Sequence, residues 1–408
     1  MPTTSFTDPA ASGSVFTRLL PLMAVVLTAF LVIGLALPVL PLHVHDDLGL
    51  GTVAVGLVAG SQFAAALLSR VWAGTFSDAR GGKRAVVAGL LGAAAAGLLY
   101  LLSLGFPTSP LASVSILLFG RAVLGGAESF IITGALAWGL GAAGPLHTGK
   151  VMAWVGTAMY AAFALGAPLG TMLYERHGFV ALALATTLLP VVSLLLVAPM
   201  QAGPALARVR PSFLKVIAAV WVPGVGLALS SAGFGAIMAF IGLLFAHRGW
   251  TPAWLAVTAF AASFMLARAM LGHLADQIGG AKVAVVSVLI EAAGQAMIWW
   301  APTASVAVLG AALTGLGYSL VYPALGVEAV RRAPADSRGL ATGAYTSFLD
   351  LALGIGSPLM GLLAARAGLE SVFLSSAVIV LGAAAVALQL LRSSRGRAVA
   401  EAAASCPA

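Results

Sequence analysis

Gly74–Arg84 reads GTFSDARGGKR, and 198 residues later Gly272–Lys282 reads GHLADQIGGAK. Arg70, Gly74, Asp78 and Gly81 recur as Arg268, Gly272, Asp276 and Gly279, four positions matched at one offset. Further along, Gly166 and Pro168 recur at an offset of 190 as Gly356 and Pro358, and Gly170 is echoed by a glycine at 361. The longer connection holding Pro107 and Pro110 accounts for the change of offset. An echo at about half the chain length is the mark of an internal repeat. The chain is predicted to be two copies of one unit.

Each unit is membrane-embedded. Of the 408 residues, 61% are hydrophobic and 8% charged, with a mean hydropathy of +1.04. About 25% charge is usual for a soluble chain, so there is too little polar surface to coat a globule. Apolar runs of about 20 residues cross a bilayer as helices, and continuous rather than alternating runs exclude a barrel. Twelve such runs are expected, at 18–42, 51–76, 84–105, 112–141, 150–174, 178–198, 216–246, 251–275, 281–301, 304–330, 338–366 and 370–391. The predicted fold is thus all-α with twelve transmembrane helices: a segment 1–17, a six-helix bundle 18–198, a linker 199–215, a second bundle 216–391 and a tail 392–408. The polar start leads into the first span without a clear small-residue cleavage site, so no removable signal peptide is expected.

Basic residues orient the spans. Fifteen of the 21 Lys and Arg fall in one set of loops and tails, among them Arg80, Lys83, Arg84, Lys215, Lys282, Arg331 and Arg397. Three, Arg176, Arg248 and Arg366, fall in the opposite set, and Arg70, Arg121 and Arg268 lie within spans. Segment, linker and tail are therefore predicted to be cytoplasmic. The net charge of +8 serves this topology, so nucleic acid is not expected as a partner. Trp250, Trp254, Trp299 and Trp300 fall at the opposite span ends, where aromatic residues anchor helices at the interface.

The two copies of the loop signature resemble that of the major facilitator superfamily. Ala79 and Gly82 depart from its usual basic positions, with Arg80, Lys83 and Arg84 close by. Arg121 with Gly125 resembles the superfamily's arginine motif in span four, and GAPLG, Gly166–Gly170, is a shortened match to the glycine-proline signature of its antiporters. LPLHVHDD, SRVWAGTFSDARGGKR and GGAESF look like the YfcJ/YhhS group of bacterial inner-membrane facilitators. The resemblance implies two pseudo-twofold-related bundles, alternating access, and a monomer in the bacterial inner membrane. It implies gating by Arg70, Gly74, Asp78, Arg80, Gly81, Lys83 and Arg84, and by Arg268, Gly272, Asp276, Gly279 and Lys282 in the second copy. Asp78 is expected to pair with basic groups of its own loop and with the start of span eleven. Gly166, Pro168, Gly170, Gly356 and Pro358 are expected to form hinges, those of span five sealing against span eight.

Ionisable groups at mid-span are functional candidates by default. Glu128 and Asp350 stand at the middles of spans four and eleven, and Arg121 seven residues before Glu128 on the same face. The offset of 190 maps Glu128 onto Tyr318 and Tyr160 onto Asp350, so each half offers an acid and a phenol to a central cavity. Glu128 is expected to carry the proton, Asp350 to be the second acid, and Arg121 to bias Glu128. Glu291 of span nine is expected to pack with Gln295. Other groups expected to line the cavity are Gln62, Phe63, Ser129, Thr133, Tyr160 and Phe163 in the first half. Ser230, Phe234, Tyr318, Tyr322 and Phe348 are their counterparts in the second.

The sequence contains no asparagine, which suits a drug-like or amphiphilic solute, cationic if the two acids bind it, better than a sugar cage. The leading expectation is a proton-coupled antiporter exporting such a solute; the alternatives are a symporter importing a nutrient and, far behind, a membrane transferase. No cofactor is implied: Cys406 is the single cysteine, His43, His45, Asp46 and Asp47 fit no zinc spacing and read as a solvated capping loop, and GPLHTGK at 144–150 lacks the hydroxyl residue of a phosphate loop. Enzymatic chemistry is not expected.

Overall fold

A computed structural model describes residues 15–143, 148–202, 213–332 and 338–404. Long apolar runs have no choice but to satisfy their backbone internally inside a bilayer, and the described residues are helical with short connections. The helices are α1 (Val15–Leu42), α2 (Thr52–Arg80), α3 (Gly82–Ser103), α4 (Pro110–Ala143), α5 (Thr148–Val197), α6 (Phe213–Arg248), α7 (Trp254–Leu271), α8 (Leu274–Ile278), α9 (Gly280–Trp300), α10 (Ala304–Arg332), α11 (Arg338–Ala367) and α12 (Leu369–Ala404). A π-helical turn, His43–Asp47, follows α1. Among the described residues, eleven helices are long and apolar enough to cross a membrane. Leu68, Leu111, Leu195 and Trp300 project outward and are exposed, as side chains that face lipid do.

The repeat seen in the sequence reappears in the backbone. Gly81 and Gly279, 198 apart, adopt φ of 88° and 94° and end the helices before α3 and α9. Only a residue without Cβ takes this conformation at low cost. Gly178 and Gly368, 190 apart, share φ of 68° and 86°; Gly368 separates α11 from α12, and Gly178 interrupts α5 with non-helical backbone. One difference between copies is local: α2 runs on to Arg80, whereas α7 stops at Leu271 and the short α8 carries the second signature.

Helices α1–α5 pack on one another, as do α6–α12, and the two sets meet along α2–α11, α5–α7 and α1–α6. The α2–α11 seam runs antiparallel from Thr52, whose Oγ1 donates to Gly361 O at 2.8 Å, down to Arg70 and Asp350, an ion pair. Between them a Cβ on Gly56 would overlap Ser357 O, and one on Gly60 would lie 2.7 Å from Gly354 O. The seam on the other side has equivalent contacts: Thr258 Oγ1 donates to Ala164 O at 3.4 Å, and Tyr160 stacks on Phe264 with ring centroids 3.6 Å apart.

Parts of some expectations lie outside the described residues. These are the segment 1–14, most of the linker 199–215, residues 144–147 and 333–337, and the end of the tail with Cys406. The side chains of Asp276 and Arg338 do as well, and with Arg338 part of the expected latch at the start of α11.

Candidate functional site

One ridge of α2 organises the interior. Positions 58, 62, 66 and 70 are spaced by four, so they line one face, and each makes a polar contact. The Val58 carbonyl accepts from Arg121 Nε at 3.4 Å, and Gln62 Nε2 donates to Glu128 at 2.6 Å. The Ala66 carbonyl accepts from Ser129 Oγ at 2.7 Å, and Arg70 donates to Asp350 of α11. The first three partners belong to α4, which runs parallel to α2 and is brought close by Gly125, where a Cβ would overlap the Gln62 carbonyl. Glu128 is half-buried, while Gln62, Ser129, Arg121 and Asp350 are buried.

Arg70 and Asp350, expected to play separate parts in gating and proton coupling, therefore form one pair that bridges the two sets of helices. Arg121 does not touch Glu128 directly. Its Nη1 is buried without a hydrogen-bond partner among the described residues, and the side chain lines a narrow cleft. Leu37, Val58 and Phe63 wall this cleft on one side and Met238, Ala239 and Ser357 on the other, so it lies between the two sets of helices. Phe63 lines it as expected.

The phenols are not free in a cavity. Tyr160 stacks on Phe264 and meets Phe163 edge-on at 5.6 Å. Phe264 lies 6.1 Å from the Tyr318 ring, which stacks on Phe234 at 5.5 Å. The centre is thus a packed aromatic row, and Phe264 and Phe260 within it escaped the sequence reading. The repeat held a signal for both: the offset of 198 places Phe260 opposite Gln62 and Phe264 opposite Ala66. Tyr322 bonds Thr346 at 2.8 Å; Phe348 packs where a Cβ on Gly224 of α6 would fall. Thr133 is half-buried in α4.

Two expectations need correction. Ser230 does not face the cleft: it is fully buried and donates to Glu291 of α9, because α6 and α9 approach at Gly233, where a Cβ would lie 2.6 Å from Glu291 Oε1. Glu291 is held by this serine, while Gln295 bonds Gly233 O and Thr314. Second, Gly166 and Gly170 do not seal span five against span eight. Their Cβ positions fall on Gly34 and Leu35 of α1, so they close-pack two helices of the same half. In the second half Pro358, the counterpart of Pro168, does stand in the seam, with Cδ 2.8 Å from a Cβ on Gly60, whereas nothing lies within 4 Å of one on Gly356, the counterpart of Gly166.

At the signature loops, Lys83 Nζ donates to Ala198 O at 3.1 Å and also to Met200 O, a cation at the carbonyl end of α5 where the helix dipole favours it. Arg80 lies over the Phe76 ring at 5.1 Å. Arg268, the counterpart of Arg70, donates to Ser319 O at 2.9 Å within its own half. Asp78 is half-buried and engaged; Gly74 has open space beside it. The His43 cluster is more ordered than a solvated cap: Asp47 accepts from His43 Nδ1 and Tyr174, each at 2.7 Å, and the His43 ring stacks on Phe179 at 3.8 Å. Among the described residues no His, Cys, Asp and Glu group could hold a metal ion.

Two overlapping stretches, residues 22–256 and 224–405, match the Major Facilitator Superfamily, and the chain belongs to that family. It is a multi-pass membrane transporter of small molecules, not an enzyme. It is 44% identical over 363 residues to an "Uncharacterized MFS-type transporter" of Salmonella typhimurium, covering 89% of this chain and 94% of that one. A relative of the same description in Pseudomonas aeruginosa is 44% identical over 392 residues, with 95% and 98% covered. Among solved structures, the nucleoside transporter NupG superposes with a TM-score of 0.72 at 15% identity, covering 92% of this chain and 99% of that one. The Escherichia coli fucose:proton symporter gives 0.63 at 14%, with 93% and 99% covered. At such identity the likeness shows the fold.

Proposed function

We propose that this protein is a proton-coupled secondary transporter of a small organic solute, working by alternating access in the bacterial inner membrane. The observation that carries the reading is Glu128: a half-buried carboxylate between the two halves, held by the Gln62 amide, about two turns of α2 from the Arg70–Asp350 pair. Such a group can take up and release a proton as its surroundings change, and Asp350 is released only when the seam opens. Gly178, read as a turn by its likeness to Gly368, divides α5 into two crossings and brings the total to twelve. The bundles are then 18–198 and 216–391, with a monomer as the working unit and both ends in the cytoplasm. In this orientation the α2–α11 and α5–α7 seams close the outer side, an inward-facing arrangement.

Inward proton flow supplies the work, about 2.3 kcal/mol per charge for each 100 mV. Exchange, in which solute leaves as a proton enters, suits a cation that competes with the proton for Glu128. Co-transport suits an anion, and the unpaired Arg121 in the cleft favours this second reading. Everted vesicles carrying the native protein or Glu128→Gln test both: in exchange, solute entry drives protons out of the lumen, and in co-transport it carries them in. Equal proton movement with native protein and Glu128→Gln would remove Glu128 as the carrier.

A further inference from the structure

We infer that the cleft between the halves is a binding site for an amphiphilic organic anion, with Arg121 as its anchor. This rests on the transporter reading above and adds the charge class of the solute. Three observations meet here. First, the charges elsewhere in the ridge are already answered: Asp350 by Arg70 and Glu128 by Gln62. Second, Arg121 is 4% exposed, yet its contacts among the described residues are the long one from Nε to Val58 O and one with the uncharged phenol of Tyr100, neither of them an anion. Its Nη1 has no partner among the described residues. A buried guanidinium held this way is expensive, and the nearest acid on its own helix, Glu128, is roughly 10.5 Å along the axis.

Third, the space beside the guanidinium is apolar. Leu37, Leu40, Val55 and Phe63 on one side and Met238 and Ala239 on the other contribute no hydrogen-bonding side-chain group, and Ser357 is the other polar side chain on the wall. An apolar pocket with one cationic, multi-donor end fits a ligand built as a hydrocarbon body with a carboxylate or similar head. A cationic drug would place like charge on Arg121, and a sugar would find almost no donors or acceptors.

The placement also ties solute to proton. An anion on Arg121 feels the charge of Glu128 through a medium of low dielectric, so it binds better when Glu128 carries its proton, and by linkage the proton binds better when the anion is present. Solute and proton then travel together.

The test is binding, not transport. Purified native protein in lipid nanodiscs is titrated calorimetrically with 2-naphthoate, 2-naphthylmethanol and 2-naphthylmethylammonium, the signal of empty discs being subtracted. The expected result is saturable naphthoate binding about tenfold to a hundredfold tighter than the alcohol, the worth of a charge-assisted hydrogen bond, with the ammonium weakest. Arg121→Gln should reduce naphthoate to the level of the alcohol, and Arg121→Lys should keep part of the preference. Equal binding of the three probes by the native protein, or preference for the ammonium, would overturn the inference; this comparison needs no variant and stands if the variants do not fold. An Arg121→Gln protein that keeps its preference for naphthoate would overturn it as well. Arg121-dependent naphthoate binding without any proton movement in vesicles would uphold the anion site and reject the proton-coupled reading.

Discussion

The two seams between the halves occupy equivalent places in the repeat and are built from different chemistry. Each contains a proline, Pro358 in α11 and Pro168 in α5, that frees a carbonyl one turn earlier, at Gly354 and Ala164. Inside a membrane such a carbonyl needs an answer from a neighbour. In the α5–α7 seam Thr258 gives it with a hydroxyl. In the α2–α11 seam the equivalent position is Gly60, which has no side chain, and the helix backbone itself comes against Gly354. One turn further in, the first seam has an aromatic stack, Tyr160 on Phe264. The second has an ion pair, Arg70 to Asp350, beside the small Ala66. One seam is filled by ring surface; the other is narrow and charged. A narrow seam closed by opposite charges can separate when either charge is neutralised or finds another partner, whereas stacked rings have no such trigger. The asymmetry suggests that α5–α7 serves as the pivot and α2–α11 as the switch.

Breaking the charged seam should have the largest effect. Asp350→Ala leaves Arg70 with an uncompensated charge, a loss of about 3–5 kcal/mol for a buried pair, taken at the lower end because the Arg70 side chain is 22% exposed. Thermal unfolding in detergent measures it. Replacing both partners, Arg70→Met with Asp350→Leu, should restore most of the stability while abolishing solute-driven proton movement. A double variant that still couples would show the pair to be structural only.

Next comes the narrowness of the same seam. Gly60→Leu places a side chain where Gly354 and Pro358 already stand, and overpacking costs about 1–3 kcal/mol. The closure at the Thr52 end should be lost first, because the halves can move apart there without unfolding. Thr52 marks that closure through its bond to Gly361. In a Thr52→Cys, Cys406→Ser background, a membrane-impermeant maleimide should label position 52 faster once Gly60→Leu is added. Unchanged labelling would mean that the seam does not govern access.

On the aromatic side, Phe264→Ala removes the ring under Tyr160 and the link to Tyr318. The stack contributes about 0.5–1.5 kcal/mol beyond area burial, and since lipid is as apolar as the ring, packing rather than hydrophobicity carries the loss. Stability should fall by that amount with proton coupling retained. Loss of coupling in a stable Phe264→Ala protein would undo the distinction between pivot and switch.

How far the sequence reaches into this comparison depends on the range of each contact. The repeat offsets in Arg70–Gly81 and Arg268–Gly279 are legible because they are local patterns, and the backbone reproduces them at Gly81 and Gly279. The polar ridge of α2 is partly legible too, since Arg70 and Gln62 are polar residues in an apolar run. What spacing along one helix cannot give is the partner on another. Arg70 shares a ridge with Gly74 and Asp78, which points toward gating, yet its partner Asp350 is 280 residues away. Glycines have the same ambiguity: a small residue announces a close approach without saying which helix approaches, and so Gly166 and Gly170 turn to α1. Ser230 is misplaced for a related reason, a hydroxyl on a helix buried on several sides having more than one face to choose.

Thr258 offers the finest test, because it isolates the one hydrogen bond that distinguishes how the seams treat their prolines. Thr258→Val keeps shape and removes the hydroxyl, leaving the Ala164 carbonyl, freed by Pro168, without that donor. Interhelical hydrogen bonds in membranes average only about 0.6 kcal/mol, and at 3.4 Å this one should not exceed that. The loss falls on the closed seam alone if α5 and α7 separate during the cycle, and on every conformation if they stay together as a pivot. A pivot therefore predicts a slightly lower unfolding temperature with an unchanged rate of maleimide labelling at position 52. A changed rate would mean that α5–α7 opens as α2–α11 does, and that the two seams, for all their difference in chemistry, work alike.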